Sequence, residues 1–325
     1  MKLLSKTPSL RIRISLILVG FLGSLPPATA CDVCGCASSS SGLGVLPRFD
    51  SGFLGIRYGY QAFAVPAVPG YAIGGPGTDH YHRIELWSRI PLNPRWQLWV
   101  SLPYATHQRA LDEGESTSIS GPGDAQFLLN GALWRMETPN YSLQWNAAAG
   151  LKLPTGRYRQ RDASGTMLPI GLQTGTGAYS FPLATQLGFR RGRWGSMAEA
   201  AAVFSAENEE TYKVGNQWAT ALFALYYADL KRSFLIGHVA LRTEGSSRDR
   251  EFGAELYNTG FVRTSVGLGA DWYWNQWMIG LRSNMPLWDS AGATQSRWMG
   301  GGSVQCIWFF GTARDAKPTP SKTEL

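Results

Sequence analysis

Three cysteines fall within six residues, Cys31, Cys34 and Cys36. Thiolates at that spacing can hold zinc or Cu(I), because soft sulfur suits soft metals. They can equally close a disulfide in an oxidising compartment, or leave Cys31 to carry an acyl chain while the other two are structural. The sequence leaves all three readings open, so zinc or copper at these positions is the one cofactor it suggests. Cys306 does not join them, because its strand parity groups it with Val304, Trp308 and Phe310 on an apolar face. His80 and His82 flank Tyr81 and would project to one side of a strand. That is an H-x-H metal pair if a third ligand is near. None is evident, and a solvated pair at a loop edge is the expected form. His238 stands on one face with Arg242 and Glu244, but a hydrolase would need a serine in hydrogen-bond reach. No neighbouring segment carries a recognisable nucleophile phrase. Phosphate-cradling, dinucleotide-binding and DNA-binding motifs are missing too. The expectation is a protein that is not an enzyme and has no nucleic-acid partner.

The remaining chemistry is charge at alternating positions. Arg57, Arg83, Arg89, Lys152, Arg190, Arg242, Arg263 and Arg282 share strand parity with Glu85, Glu199, Glu244, Asp271 and His238. Charges are expensive on a lipid-facing surface, which assigns them to the inside of any membrane barrel. A cationic wall would favour anions. The competing expectation is that these charges pair off and fill a narrow barrel.

The elements that must position them are strands. From Phe53 onward, segments of roughly ten residues alternate with period two, the spacing of membrane strands. Leu54, Ile56, Tyr58 and Tyr60 oppose Gly55, Arg57, Gly59 and Gln61. Later, Val262, Thr264, Val266, Leu268 and Trp272 oppose Arg263, Ser265, Gly267, Gly269 and Asp271. Strands are expected near 52–63, 81–90, 96–106, 125–136, 141–153, 178–190, 194–206, 216–228, 233–245, 259–273, 277–286 and 298–310, about twelve in all. Their connections alternate between tight turns and long polar, Gly-rich stretches. That is the pattern of short periplasmic turns and long external loops. A soluble β-sandwich alternates along its strands but has no reason to alternate its loop lengths. The fold expected is all-β, a transmembrane antiparallel up-and-down β-barrel over 52–310. Trp96, Trp194, Trp272, Trp274, Trp277 and Trp308 fall at the periplasmic strand ends, and Tyr58, Tyr60, Tyr104 and Tyr179 toward the other, as aromatic belts require.

The chain ends fit export. Residues 1–30 run from Lys2, Lys6, Arg11 and Arg13 through an apolar stretch to Ala28-Thr29-Ala30, the order of a cleaved signal peptide. Cleavage leaves a Cys-rich periplasmic segment, 31–51. The whole chain carries 30 Lys+Arg and 23 Asp+Glu, and losing four cations with the leader leaves 26 − 23 = +3. So small a surplus gives no reason to invoke nucleic acid. The closing strand, Ser303 to Phe310, is aromatic, like the signal read by barrel-insertion machinery. A polar tail, 311–325, follows it.

Several phrases then stand together: Cys31-Asp32-Val33-Cys34-Gly35-Cys36, Gly121-Pro122-Gly123-Asp124, Gly150-Leu151-Lys152-Leu153-Pro154-Thr155-Gly156 and Gln173-Thr174-Gly175-Thr176-Gly177. The chain resembles a family of outer-membrane transporters that open with a CD-x-CGC signature. It is similar, more distantly, to the outer-membrane barrels named for the phenol-degradation meta pathway. The resemblance implies location more than substrate. The expected function is an outer-membrane channel or transporter for small, anionic or amphiphilic solutes, with outer-membrane lipid, the insertion machinery and a small-molecule solute as partners. The alternative is a barrel that serves as a mount for a Cys-rich metal-binding or partner-binding segment. Pro154 would end its strand just after inward-pointing Lys152, and the glycines beyond it would let the longest loop turn sharply, whether or not it folds inward.

Overall fold

The computed structural model describes residues 51–310, apart from 67–75, 113, 115, 162–164, 166–169, 258 and 291–294. The signal peptide, the cysteines Cys31, Cys34 and Cys36 with the signature they belong to, and the tail lie outside the described residues. Twelve long strands run in chain order: β1 (Gly52–Val65), β2 (Gly77–Pro91), β3 (Trp96–Leu111), β4 (Gln126–Glu137), β5 (Ser142–Lys152), β6 (Ser180–Arg191), β7 (Trp194–Ser205), β8 (Gln217–Leu230), β9 (Ser233–Ser246), β10 (Phe261–Trp274), β11 (Trp277–Asp289) and β12 (Arg297–Phe310). Each pairs antiparallel with its sequence neighbours, and β1 closes on β12 from Gly52 opposite Phe310 to Ala64 opposite Arg297. The result is a closed barrel. Closure leaves no sheet edge in lipid, where an unpaired backbone group would be costly.

Local chemistry sets the tight turns. Gly192 (φ 59°) and Asn275 (φ 50°) take the left-handed conformation in the two-residue hairpins between β6 and β7 and between β10 and β11. These are residue types that tolerate it best. Asn93 uses its side-chain carbonyl to accept from the N–H groups of Arg95 and Trp96, at 2.9 and 3.0 Å, and so shapes the turn before β3.

The outer strand ends run further than the alternation predicts. β2 begins at Gly77 and β3 continues to Leu111. Asp79, 1% exposed, binds Arg109 of β3 through both carboxylate oxygens at 2.7 and 2.6 Å. A short strand, Ser116–Pro122, pairs with this upper part of β3, while β4 pairs only with its lower part. Polar pairs of this kind lack the apolar alternation that marks a membrane strand, so a hydrophobic pattern stops short of them.

Alternation sorts the two faces. Leu54, Ile56, Ile84, Leu86, Leu222, Leu241, Ile279 and Leu281 are exposed on the outside. The six tryptophans expected near the periplasm are exposed there as well. Cys306 is exposed among them, on the same parity as Val304 and Trp308. A basic residue at the centre of this band should cost about 2–4 kcal/mol. Leu281→Arg is therefore expected to lower the temperature at which the barrel loses its compact, heat-modifiable migration on gels. Arg282, its neighbour, already sits on the opposite face and pairs with Asp271.

Candidate functional site: a luminal cavity

Large inward side chains fill the periplasmic half of the lumen. Phe53, Trp87, Trp99, Phe234, Tyr273, Met278, Ile307 and Phe309 are buried in one cluster. Phe53 is the hub, with ring centroids 4.5 Å from Trp87 and 6.0 Å from both Trp99 and Phe309. This cluster forms an apolar floor to the lumen. At the outer mouth a second cluster joins Phe63, Tyr81 and Trp298 to Leu172, which arrives from the long loop between β5 and β6. The Leu172 carbonyl meets His107 Nδ1 at 2.9 Å. That loop does fold inward.

Asp124 holds it there. Its carboxylate, nearly fully buried, accepts from the Gly156 N–H at 3.0 Å, from the Thr176 N–H at 3.1 Å and from the Thr176 hydroxyl at 2.8 Å. Lys152 Nζ lies 3.3 Å away. Gly156 and Gly175 cross so closely that a Cβ on either would meet the other's backbone at 2.5 Å. Three of the phrases singled out in the sequence are thus parts of one latch.

Between floor and latch lies a cavity of about 160 Å³. Arg57, Arg83, Glu85, Lys152, Glu199, His238, Arg242 and Arg282 line it. Five of the sequence-derived lumen residues face inward without lining it. Arg89, 1% exposed, is packed in the floor, its guanidinium 5.0 Å from the Phe53 ring and its Nε donating to the Ser51 carbonyl. Arg190 stacks on Tyr227 at 4.1 Å and donates to the Gly192 carbonyl at the turn. Arg263 is buried against Phe63, Phe261 and Trp298 and bonded to Glu244. Glu244 lies behind Arg242, and Asp271 behind Arg282. Strand parity assigns a face but not a depth. An inward residue near a strand end lands in the floor or the rim.

The pairing expectation describes the wall better than an open cationic lining does. Glu85 joins Arg57 at 3.4 Å and Arg83 at 3.5 Å, and Ser101 donates to the same carboxylate. Glu244 joins Arg242 and Arg263, Asp271 joins Arg282, and Asp124 joins Lys152. Cavity-lining bases still outnumber acids, five (Arg57, Arg83, Lys152, Arg242, Arg282) to three (Glu85, Asp124, Glu199).

A family model described as "Putative MetA-pathway of phenol degradation" matches residues 74–289. The chain belongs to that family. The solved structure of an outer-membrane channel from Pseudomonas putida F1 superposes with a TM-score of 0.61 at 14% identity, over 84% of this chain and 98% of that one. The β domain of the Bordetella autotransporter BrkA gives 0.47 at 10% identity, over 80% of this chain and 100% of that one. A FadL homologue from Pseudomonas aeruginosa gives 0.33 at 10%, over 80% and 88%. These two share barrel form and no more. Searched against curated proteins, the sequence matched none. Family membership and fold together place the protein in the outer membrane.

The histidines of the H-x-H phrase are a correction. His80 and His82 lie inside β2 on its outward face, not at a loop edge. Each ring Nδ1 meets a tyrosine hydroxyl of β1 at 2.8 Å, Tyr60 for His80 and Tyr58 for His82. Among the described residues no group of three His, Cys, Asp or Glu could hold a metal ion. Rings with polar tips on the outward face suit the headgroup level of a membrane.

One carboxyl in an outer loop gives a pH prediction. Asp249, between β9 and β10, accepts from the Tyr212 hydroxyl at 2.5 Å and the Gly215 N–H at 2.6 Å. Burial pushes this carboxyl up, and outweighs the two hydrogen bonds that pull it down. A folded value above the unfolded one means that its contribution to loop stability is present at low pH and lost as pH rises through the folded value. Hydrogen-exchange protection factors for the Gly215 amide should fall over that rise. Asp249→Asn should flatten the dependence.

Proposed function

We propose that this barrel is an outer-membrane channel that passes small, anion-bearing solutes through its lumen, with an apolar floor and a latched outer loop limiting the open time. The observation that carries the reading is the luminal cavity between two closures, walled by more guanidinium and ammonium groups than carboxylates. Hydrophobic constrictions gate by excluding water, and a wall of one sign discriminates by charge.

Reconstitution in a planar bilayer under a salt gradient tests it. Wild-type protein is expected to show intermittent current with a reversal potential displaced toward the anion side. Arg83→Glu should move the reversal potential toward the cation side with heat-modifiable folding retained, because Arg83 lies on the cavity wall. Arg89→Glu should instead impair folding, since that side chain is sealed in the floor. Wild-type current without ion preference would reject the anion reading.

A further inference from the structure

Three carboxylates of the luminal wall lie deeper than an arginine they pair with. The Arg57 side chain is 13% exposed over Glu85 at 3%, and Arg282 is 19% exposed over Asp271 at 0%. Arg242 over Glu244 repeats the order. The cavity therefore meets guanidinium faces, with the neutralising charge behind them. Arg57 and Arg282 flank the same strand from its two sides, Arg57 opposite Gln305 and Arg282 opposite Ser303 of β12. Both guanidiniums line the cavity from the two strands beside β12.

His238 supplies a second, independent sign. Its side chain is 3% exposed, it lines the cavity, and neither ring nitrogen has a hydrogen-bond partner. The nearest carboxylate oxygen, on Asp271, is 4.0 Å away, beyond hydrogen-bond range. Gly269 makes the seat for the ring, because a Cβ there would collide with the His238 imidazole. Buried polar groups without partners are rare and call for a ligand or a water.

We infer that the cavity is a binding site for a small organic monocarboxylate with a compact apolar body, its carboxylate held between the Arg57 and Arg282 guanidiniums beside the His238 imidazole. The inference rests on the channel reading, since it names the solute class of the same cavity. Guanidinium groups suit carboxylates because their N–H pairs match two oxygens at once. Glu199, gripped by Gln186 at 2.7 Å, faces the same space and disfavours a second negative charge. The Phe223 ring, Ala240, Pro103 and Ala105 give the rest of the ligand an apolar bed. Size agrees: an enclosed space of roughly 150 Å³ admits a benzene-sized ring, and this one is about 160 Å³.

Titration calorimetry on the full-length folded protein in detergent tests this, with benzoate as the probe and benzyl alcohol and inorganic phosphate as comparators. Benzoate should bind saturably at one site, and the comparators should bind about tenfold more weakly or worse, a difference of roughly 1.4 kcal/mol. Arg57→Gln and Arg282→Gln should each weaken benzoate by a similar factor, while Arg135→Gln, on an exposed face, leaves it unchanged. Equal affinity for benzyl alcohol, no saturable benzoate binding, or full affinity in both folded arginine variants would overturn the assignment. Should either variant fail to fold, the wild-type comparison of benzoate with benzyl alcohol still decides. Anion-preferring current without benzoate binding rejects the site and keeps the channel. Benzoate binding without current in any variant does the reverse.

Discussion

A Phe53→Ala, Trp87→Ala double variant is expected to carry continuous current where the wild-type opens only intermittently. Phe53 is fully buried and its ring is in contact with Trp87, Trp99 and Phe309 at the centre of the floor. The Arg57 guanidinium lies 4.2 Å from the Trp87 ring, so removing the indole opens the floor directly below the cavity wall. A hydrophobic constriction excludes ions by dewetting rather than by complete steric closure. Widening it by two rings should therefore raise mean conductance by an order of magnitude or more, a rough expectation from that mechanism. Each truncation also costs about 3–5 kcal/mol in a packed interior, although the hydrogen-bonded cylinder around the floor is untouched. The variant should consequently lose its heat-modifiable form at a lower temperature while still inserting. Trp194→Ala, which removes an exposed indole from the periplasmic belt, should leave conductance at the wild-type level.

Asp124→Ala should release the outer loop. The substitution leaves two backbone N–H groups, a hydroxyl and the Lys152 ammonium without the acceptor they share. Stranded buried donors cost about 1–3 kcal/mol each, and removing one partner of a buried ion pair costs about 3–5 kcal/mol. These losses fall on the loop, because β4 and β5 keep their own ladder from Gln126 opposite Lys152 downward. Limited proteolysis within residues 153–161 and 170–179 should become faster in the variant than in the wild-type. Asp124→Asn, which keeps one acceptor, should fall between them. Equal cleavage rates in all three would mean that the loop is held by something other than this carboxylate. The variant's channel should also open more often, since Leu172 is then no longer pressed onto Phe63, Tyr81 and Trp298.

Much of the architecture is legible in the alternation and in the loop lengths. Twelve strands, their closure and the outward position of Cys306 all follow from period-two parity. Parity also assigns Arg57, Glu85 and Arg282 to the inside, because a charge on the lipid side is prohibitive. Depth is another matter. Phe53, Trp87 and Trp99 have the same parity as Arg57, Glu85 and Ser101, so the alternation itself places large aromatics in the lumen. Parity does not say that these rings meet one another, so the floor stays hidden. Arg89 looks like a lumen cation until the Phe53 ring is placed against it. The roles of Asp124 and Asp79 are hidden for a different reason. Each sits where the apolar alternation has ended, and each acts by accepting hydrogen bonds from distant segments. The glycine-rich phrases around residues 121–124, 150–156 and 173–177 were the visible trace of that latch. Only a three-dimensional arrangement shows that they meet at one carboxylate.

The central claim is that solute passes through the cavity itself, and cysteine accessibility measures that most directly. Ser303 lines the cavity between the two arginines. In a background with the four native cysteines replaced by serine, Ser303→Cys should react with a small, negatively charged thiosulfonate reagent added during bilayer recording. The current should fall within the same experiment as the label fills the path. Cysteine restored at position 306, which faces lipid, should give no such fall. Unchanged current after labelling of Ser303→Cys, confirmed by mass, would contradict a path through this cavity.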